Sequence, residues 1–229
     1  MSEVSTQKSR ILIVDDHPLF REGLRQMIER NPEWTVCGEA STATEAMSSI
    51  GALAPDLVIV DISLGGASGI DLIKTIRAHY EELPVLVISM HEESLFAERA
   101  IRAKAMGYIM KHEPAKNVQA AIAKVLAGSF YLSDKMSSAM LSKFMLGKDN
   151  EPGSAIETLS DRELEVFRLL GQGKGTRQIA KDLNLTVATI NSFRARIKEK
   201  LDVKSSGELL LHAMRHCFQE GAVSSGGAA

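Results

Sequence analysis

Residues 57–61, LVIVD, are four consecutive apolar side chains that end on a carboxylate and lead into a turn rich in glycine, with Gly65, Gly66 and Gly69. A short apolar run without polar alternation suits a strand buried on both faces of a parallel sheet, and the carboxyl ends of such strands are where open α/β sheets bind ligands. The pattern recurs: 11–14 stops at Asp15 and Asp16, 85–88 at Ser89, and 108–110, which begins with Tyr108, at Lys111. As neighbouring parallel strands, these runs bring three carboxylates, a hydroxyl and an ammonium to one rim. Carboxylates crowded in this way repel one another, so the cluster makes sense with a cation inside it. Hard oxygen donors in small number suit Mg²⁺, which keeps several waters and takes one or two carboxylates plus a phosphate oxygen.

Strand and helix signals alternate five times over 10–128, the pattern of a doubly wound sheet. Pro18 lies in the first turn of a helix over 19–30 whose Leu24 and Ile28 face inward, and a second strand begins at Val36. Ser41 or Thr42 caps a helix carrying Ala46 and Ile50, and a third helix covers 68–79. A fourth runs 92–106 up to Gly107, and Pro114 opens a fifth, with Val118, Ile122 and Val125 on one face and Gly128 after its end. Right-handed crossovers then predict an α/β, flavodoxin-like five-stranded parallel sheet of order 2-1-3-4-5 over residues 10–130, with the acidic pair and Asp61 flanking the switch point.

Residues 131–157 read as a linker with a helix: Ser133 caps a stretch bearing Met136, Met140, Leu141, Phe144 and Met145, and 147–154, GKDNEPGS, is turn-rich. From Thr158 the signals are purely helical. Ser160 and Glu163 form a capping box ahead of Leu164, Phe167, Leu169 and Leu170. Within 176–201 the small Ala180 lets two helices approach, and Asn184, four residues on, stands where a helix-turn-helix needs a left-handed residue. Ile190, Phe193, Ile197 and Leu201 make the buried stripe of the second helix, leaving Asn191, Ser192, Ala195 and Lys198 outward. A small all-α helix-turn-helix domain is expected over 158–220, between a disordered leader at 1–9 and a flexible tail at 221–229.

Charge divides along the chain. Residues 1–130 hold 13 Lys and Arg against 17 Asp and Glu, whereas 158–229 hold 11 against 8, which permits a nucleic-acid partner for the C-terminal part. No apolar run approaches the roughly 20 residues that cross a bilayer, and the first ten residues lack the apolar core of a signal peptide. The two cysteines, Cys37 and Cys217, are far apart, which excludes a disulfide framework or zinc site and makes a reducing cytoplasm the simpler setting.

The ordered set Asp15-Asp16, Asp61, Ser89 and Lys111, with Tyr108 three before the lysine, resembles the receiver domain of two-component response regulators. LSDRELEVFRLLGQGKGTRQIAKDL, followed by TVATINSF and KLDVKSSGEL, resembles the LuxR-type DNA-binding domain over about 60 residues. Together the two resemblances identify a regulator of the NarL/FixJ class. They imply that Asp61 accepts a phosphoryl group from a sensor histidine kinase and that Asp16, Asp61 and the Ser63 carbonyl hold Mg²⁺, with Asp15 assisting through water. Ser89 and Lys111 hold phosphoryl oxygens, and Ser89 moves toward them so that Tyr108 enters the vacated space. By the same resemblance, Ser63 and His91 are expected to flank the line of water attack and to set part of the rate of a slow autodephosphorylation.

In the helical domain, Asn191, Ser192 and Ala195 match the positions that approach base edges of double-stranded DNA, while Lys174, Arg177, Thr189, Arg194, Arg196 and Lys198 are expected on phosphates. Phosphorylation is expected to favour a homodimer, with Leu209, Leu210 and Met214 of a helix over 208–218 contributing to pairing. The sequence departs from the common pattern at Gly65, where proline is common, at Gly175-Thr176 for Ser-Asn, at Asn191 for lysine and at Phe193 for histidine, and Ser205-Ser206 lacks the usual basic residue. The expected function is phosphorylation-controlled transcriptional regulation. A phosphohydrolase of the haloacid dehalogenase type would need a second carboxylate at Ser63; a phosphorylatable interaction protein without DNA binding stays open.

Overall fold

A computed structural model describes residues 7–64, 67–90, 93–145 and 155–225, which fall into two compact units divided after Lys148. Residues 1–6 of the leader expected over 1–9, Gly65, His91, the linker residues 147–154 and the last four residues lie outside the described residues, whereas Ser9, placed in that leader by sequence, opens the first strand and bonds through its N–H to Glu33 O.

The first unit is a five-stranded parallel sheet. In chain order it runs β1 (Ser9–Val14), α1 (Pro18–Glu29), β2 (Trp34–Ala40), α2 (Ala43–Leu53) and β3 (Leu57–Val60). The hairpin strands β4 (Ser63–Leu64) and β5 (Ala67–Ser68) follow, then α3 (Gly69–His79), β6 (Val85–Ser89), α4 (Glu93–Arg102), β7 (Gly107–Met110), α5 (Ala115–Leu126) and α6 (Asp134–Met145). The sheet order β2-β1-β3-β6-β7 is the expected 2-1-3-4-5 once the small antiparallel β4-β5 pair is set aside. β1, β3 and β6 are buried along nearly their whole length because helices cover both faces. Ile11, Ile13, Leu57, Ile59, Leu86 and Ile88 meet Leu24 and Ile28 of α1 and Val118, Ile122 and Val125 of α5 in one core.

Helix ends follow local chemistry. Pro18 opens α1, and the Thr42 and Ser68 hydroxyls cap α2 and α3 by accepting from Glu45 and Asp71. α4 stops at Arg102, short of the expected 106, because Lys104 turns left-handed at φ 69° and the Ala105 N–H bonds back to the Ala100 carbonyl. The segment expected to begin a linker belongs to the first unit instead. Tyr131 pairs beside Gly107 at the β7 edge, its carbonyl accepting from Tyr108 N at 2.9 Å and its N–H reaching Met106 O at 3.0 Å. Ser133 caps α6 through the Met136 N–H, and its own N–H donates to Glu93 of α4. Of the expected apolar stripe of α6, Met136 is buried and Leu141 and Met145 are exposed.

The second unit holds α7 (Asp161–Gly171), α8 (Thr176–Asp182), α9 (Val187–Lys200) and α10 (Ser206–Ser225) after a 3₁₀ turn at Ala155–Thr158. Both hydrogen bonds of the Ser160 capping box are present. α10 packs on α7, Leu209 and Ala213 of α10 are buried, and a Cβ at Gly171 would lie 2.5 Å from the Ala213 carbonyl oxygen. α10 runs through 221–225, the start of the stretch that the sequence reading places in a flexible tail.

Candidate functional sites

The rim of the sheet forms as the strand ends predict. Asp15 follows β1, Asp61 follows β3, Ser89 closes β6 and Lys111 follows β7. Asp15, Asp61, Ser89 and Tyr108 are buried, and Asp16 keeps a fifth of its side chain in solvent. Lys111 Nζ lies 2.5 Å from Asp15 Oδ2 and 2.7 Å from Asp61 Oδ2, and 4.5 Å from the centre of the Phe20 ring. One ammonium therefore serves two carboxylates, with a third beside them. Burial pushes the Asp61 carboxyl up to about 6; Lys111 pulls it down and Asp15 pushes it further up.

The backbone beyond Asp61 is held tightly. Ser63 pairs with Ser68 across the β4-β5 hairpin, and Gly69 N–H bonds to Ile62 O at 2.7 Å. A Cβ at Gly69 would sit 2.0 Å from the Asp61 carbonyl oxygen, so only glycine lets the start of α3 pack against the end of β3 and fix the Asp61 loop. Two contributors escaped sequence reading. His17 donates its N–H to Asp15 Oδ1 at 2.8 Å and places Nδ1 2.8 Å from Asp16 Oδ1; Asp15, Asp16, His17 and Asp61 offer ligand atoms within 4.8 Å of one another. Phe20 supplies the aromatic face behind Lys111. The adjacent His17 could have been suspected from the acidic pair, whereas the Phe20 contact depends on how α1 lies on the rim.

In the second unit, Asn184 adopts φ 52° and Leu185 N–H bonds to Ala180 O at 2.8 Å, closing the turn between α8 and α9. Ile190 and Ile197 are buried, whereas Asn191, Ser192, Ala195 and Arg196 are exposed and Lys198 is half-buried. The remaining expected DNA contacts divide. Arg177 is exposed; Lys174 pairs with Asp182 at 2.7 Å, the Thr189 hydroxyl lies 2.8 Å from that of Thr186, Ser192 Oγ donates to Ala188 O, and Arg194 donates to Thr176 Oγ1 at 2.6 Å. Leu209, expected at a pairing surface, is instead buried within its own unit, on the helix that packs against α7; Leu210 and Leu211 are exposed.

A five-stranded sheet with this acidic rim, joined to a helix-turn-helix unit, defines a regulator with a receiver and a DNA-binding domain. The response regulator receiver domain family matches residues 11–123, and the luxR family of bacterial regulatory proteins matches residues 157–213. Response regulator UvrY of Escherichia coli K12 is 31% identical over 90% of this chain and 94% of its own length. Response regulator GacA of Pseudomonas viridiflava is 31% identical over 90% and 96%. RcsB of Salmonella enterica serovar Typhimurium, solved bound to promoter rprA in the presence of the phosphomimetic BeF3-, aligns with a TM-score of 0.57 at 26% identity, covering 91% of this chain and 99% of that one. The chain belongs to the two-component response regulators of the NarL/FixJ class and is a transcriptional regulator with a receiver and a LuxR-type DNA-binding domain. Among the described residues no helix is long and apolar enough to cross a membrane.

Proposed function

We propose that Asp61 is the phosphoacceptor through which a sensor histidine kinase controls DNA binding by this chain in the cytoplasm. The observation that carries the reading is a buried carboxylate at the end of β3, 2.7 Å from Lys111 and crowded by Asp15 and Asp16. An Asp61 oxygen attacks phosphorus as the bond to the kinase imidazole nitrogen breaks, and the imidazole departs with that electron pair. The all-oxygen donors of Asp15, Asp16 and Asp61 fit a hard divalent cation, with the Ser63 carbonyl completing the protein ligands. Mg²⁺ bound there supplies neutralisation of charge on the phosphoryl oxygens. Lys111 and Ser89 hold those oxygens, and Tyr108, buried at the end of the sheet, follows Ser89. Incubation with Mg²⁺ and a small acyl phosphate should add one phosphoryl group to the intact mass of the wild-type chain and none to Asp61→Asn; an equal gain in both would reject the assignment.

In the second unit, the exposed Asn191, Ser192 and Ala195 read base edges, with Asn191 favouring adenine, while Arg177, Arg196 and Lys198 hold phosphates. On single-base variants of a duplex selected by the phosphorylated protein from random DNA, Asn191→Ala should cost about 1–3 kcal/mol at one base-pair position. A uniform loss on every variant would make Asn191 a positioning residue. The outward Leu210 and Leu211 of α10 support pairing of two copies on DNA, with half-sites about one helical turn apart or closer.

A further inference from the structure

The recognition helix α9 carries four cations, Arg194, Arg196, Lys198 and Lys200. They do not share one role. Lys200 Nζ donates to Glu163 Oε2 at 2.6 Å and to Thr158 O at 3.0 Å, which pins the end of α9 to the start of α7. Arg194, one turn and a half earlier, is half-buried and donates from Nη1 to Thr176 Oγ1 at 2.6 Å. Thr176 is the first residue of α8, and the α8 N-cap, Gly175, offers no side-chain cap. The Thr176 hydroxyl accepts from Arg194 and so links the start of α8 to the middle of α9. By contrast, Arg196 is exposed on the same helix.

We infer that Arg194 is a positioning residue: paired with Thr176, its guanidinium braces α9 against α8 and sets the angle at which Asn191, Ser192 and Ala195 meet the groove. The phosphate role expected for it from sequence falls to Arg196 and Arg177. The turn through Asn184 fixes how the two helices are joined, and Lys200 holds the far end of α9 to α7, not to α8. The charge-assisted hydrogen bond from Arg194, ten residues beyond the turn, ties the middle of α9 directly to the start of α8. The inference rests on the DNA-binding reading of this unit and adds to it a division of labour among its cations.

The salt dependence of binding separates the two roles, because each phosphate contact contributes to the slope of log affinity against log salt and a brace does not. Full-length protein would be titrated against a mixed-sequence duplex and against a duplex it has selected from random DNA, over a range of salt. Arg194→Ala should keep the wild-type slope on both, bind the mixed-sequence duplex as before, and lose roughly ten-fold on the selected one, where base contacts count. Arg196→Ala should flatten the slope by about one. Thr176→Val should reproduce Arg194→Ala and add nothing to it in the double variant, and Arg194→Lys, which still reaches the hydroxyl as a donor, should recover part of the loss. A slope reduced by about one in Arg194→Ala, unchanged affinity for the selected duplex, or additive losses in the double variant would overturn the inference. The unfolding midpoints of the same variants need no DNA: non-additive midpoints are expected, and additive ones remove the brace whether or not the DNA-binding reading stands.

Discussion

Asp61 and Glu163 are both buried carboxylates in hydrogen-bond contact with a lysine, at 2.7 Å from Lys111 and 2.6 Å from Lys200, yet they are displaced in opposite directions. Burial raises Asp61 to about 6, with Lys111 opposing and Asp15 adding to the rise. Burial also acts to raise Glu163, but hydrogen bonds from Lys200 and from Ser160 outweigh it and leave the carboxyl below its ordinary value. The difference lies in the neighbours. Lys200 serves one carboxylate, and the Ser160 N–H completes the capping box at 2.8 Å, so the charge of Glu163 is answered where it sits. Lys111 is shared between Asp15 and Asp61, with Asp16 and His17 alongside, so three carboxylates crowd round one lysine at this rim. A completed pair holds a fold together; an incomplete one is a place for something to bind.

Three measurements would break or sharpen that contrast. The largest effect is expected from Mg²⁺: at about one hundred times its dissociation constant it should stabilise the first unit by about 2.7 kcal/mol and leave the second unit unchanged. Denaturant unfolding with and without the ion checks this, and Asp16→Ala should shrink the gain sharply; an equal gain in that variant would place the ion elsewhere.

A smaller loss follows from Lys200→Met, which leaves the Glu163 carboxylate buried without its cation. Because the Lys200 side chain is 38% exposed, water takes up part of the deficit, and a destabilisation of the second unit of about 2 kcal/mol is expected. Adding Glu163→Gln should return part of it, since a neutral amide requires no counter-charge. A Lys200→Met variant as stable as the wild type would reduce the pair to a surface contact.

The smallest effect is one of pH. Asp61 has a folded value above its ordinary 3.8, so the folded first unit takes up a proton before the unfolded chain does, and its stability falls as pH rises through about 6. Without metal, that unit should gain on the order of 1 kcal/mol between pH 7 and pH 5, and Asp61→Asn should abolish the gain. Glu163 has the opposite sign: its folded value is below 4.5, so its contribution is present above that pH and is lost only as pH falls below it. Over the same interval Glu163 adds no slope, while burial and then Arg168 hold His216 of the second unit below its ordinary value, so that unit should lose stability as pH falls; parallel pH profiles of the two transitions would contradict the contrast.

By itself the sequence determined the five strands of the parallel sheet, their order and the rim, though not the small β4-β5 hairpin. Apolar runs such as 57–60 have one stable use, burial between helix layers, and with right-handed crossovers their polar ends must gather on one side. It also determined the turn at Asn184 and the cap at Ser160, because both depend on residues within a few positions of each other. Tertiary structure decided what depends on distant partners. Tyr131 joins the β7 edge because a free strand edge lies beside it, which no local pattern announces. Leu209 turns inward and Leu210 outward according to where α7 lies, although either residue suits either place. Arg194 and Arg196 are chemically alike and two positions apart, and only the approach of α8, bringing Thr176 within 2.6 Å of one, separates brace from open cation. Periodicity reports which face of an element is apolar; the partner each side chain meets is set by packing between elements far apart in the chain.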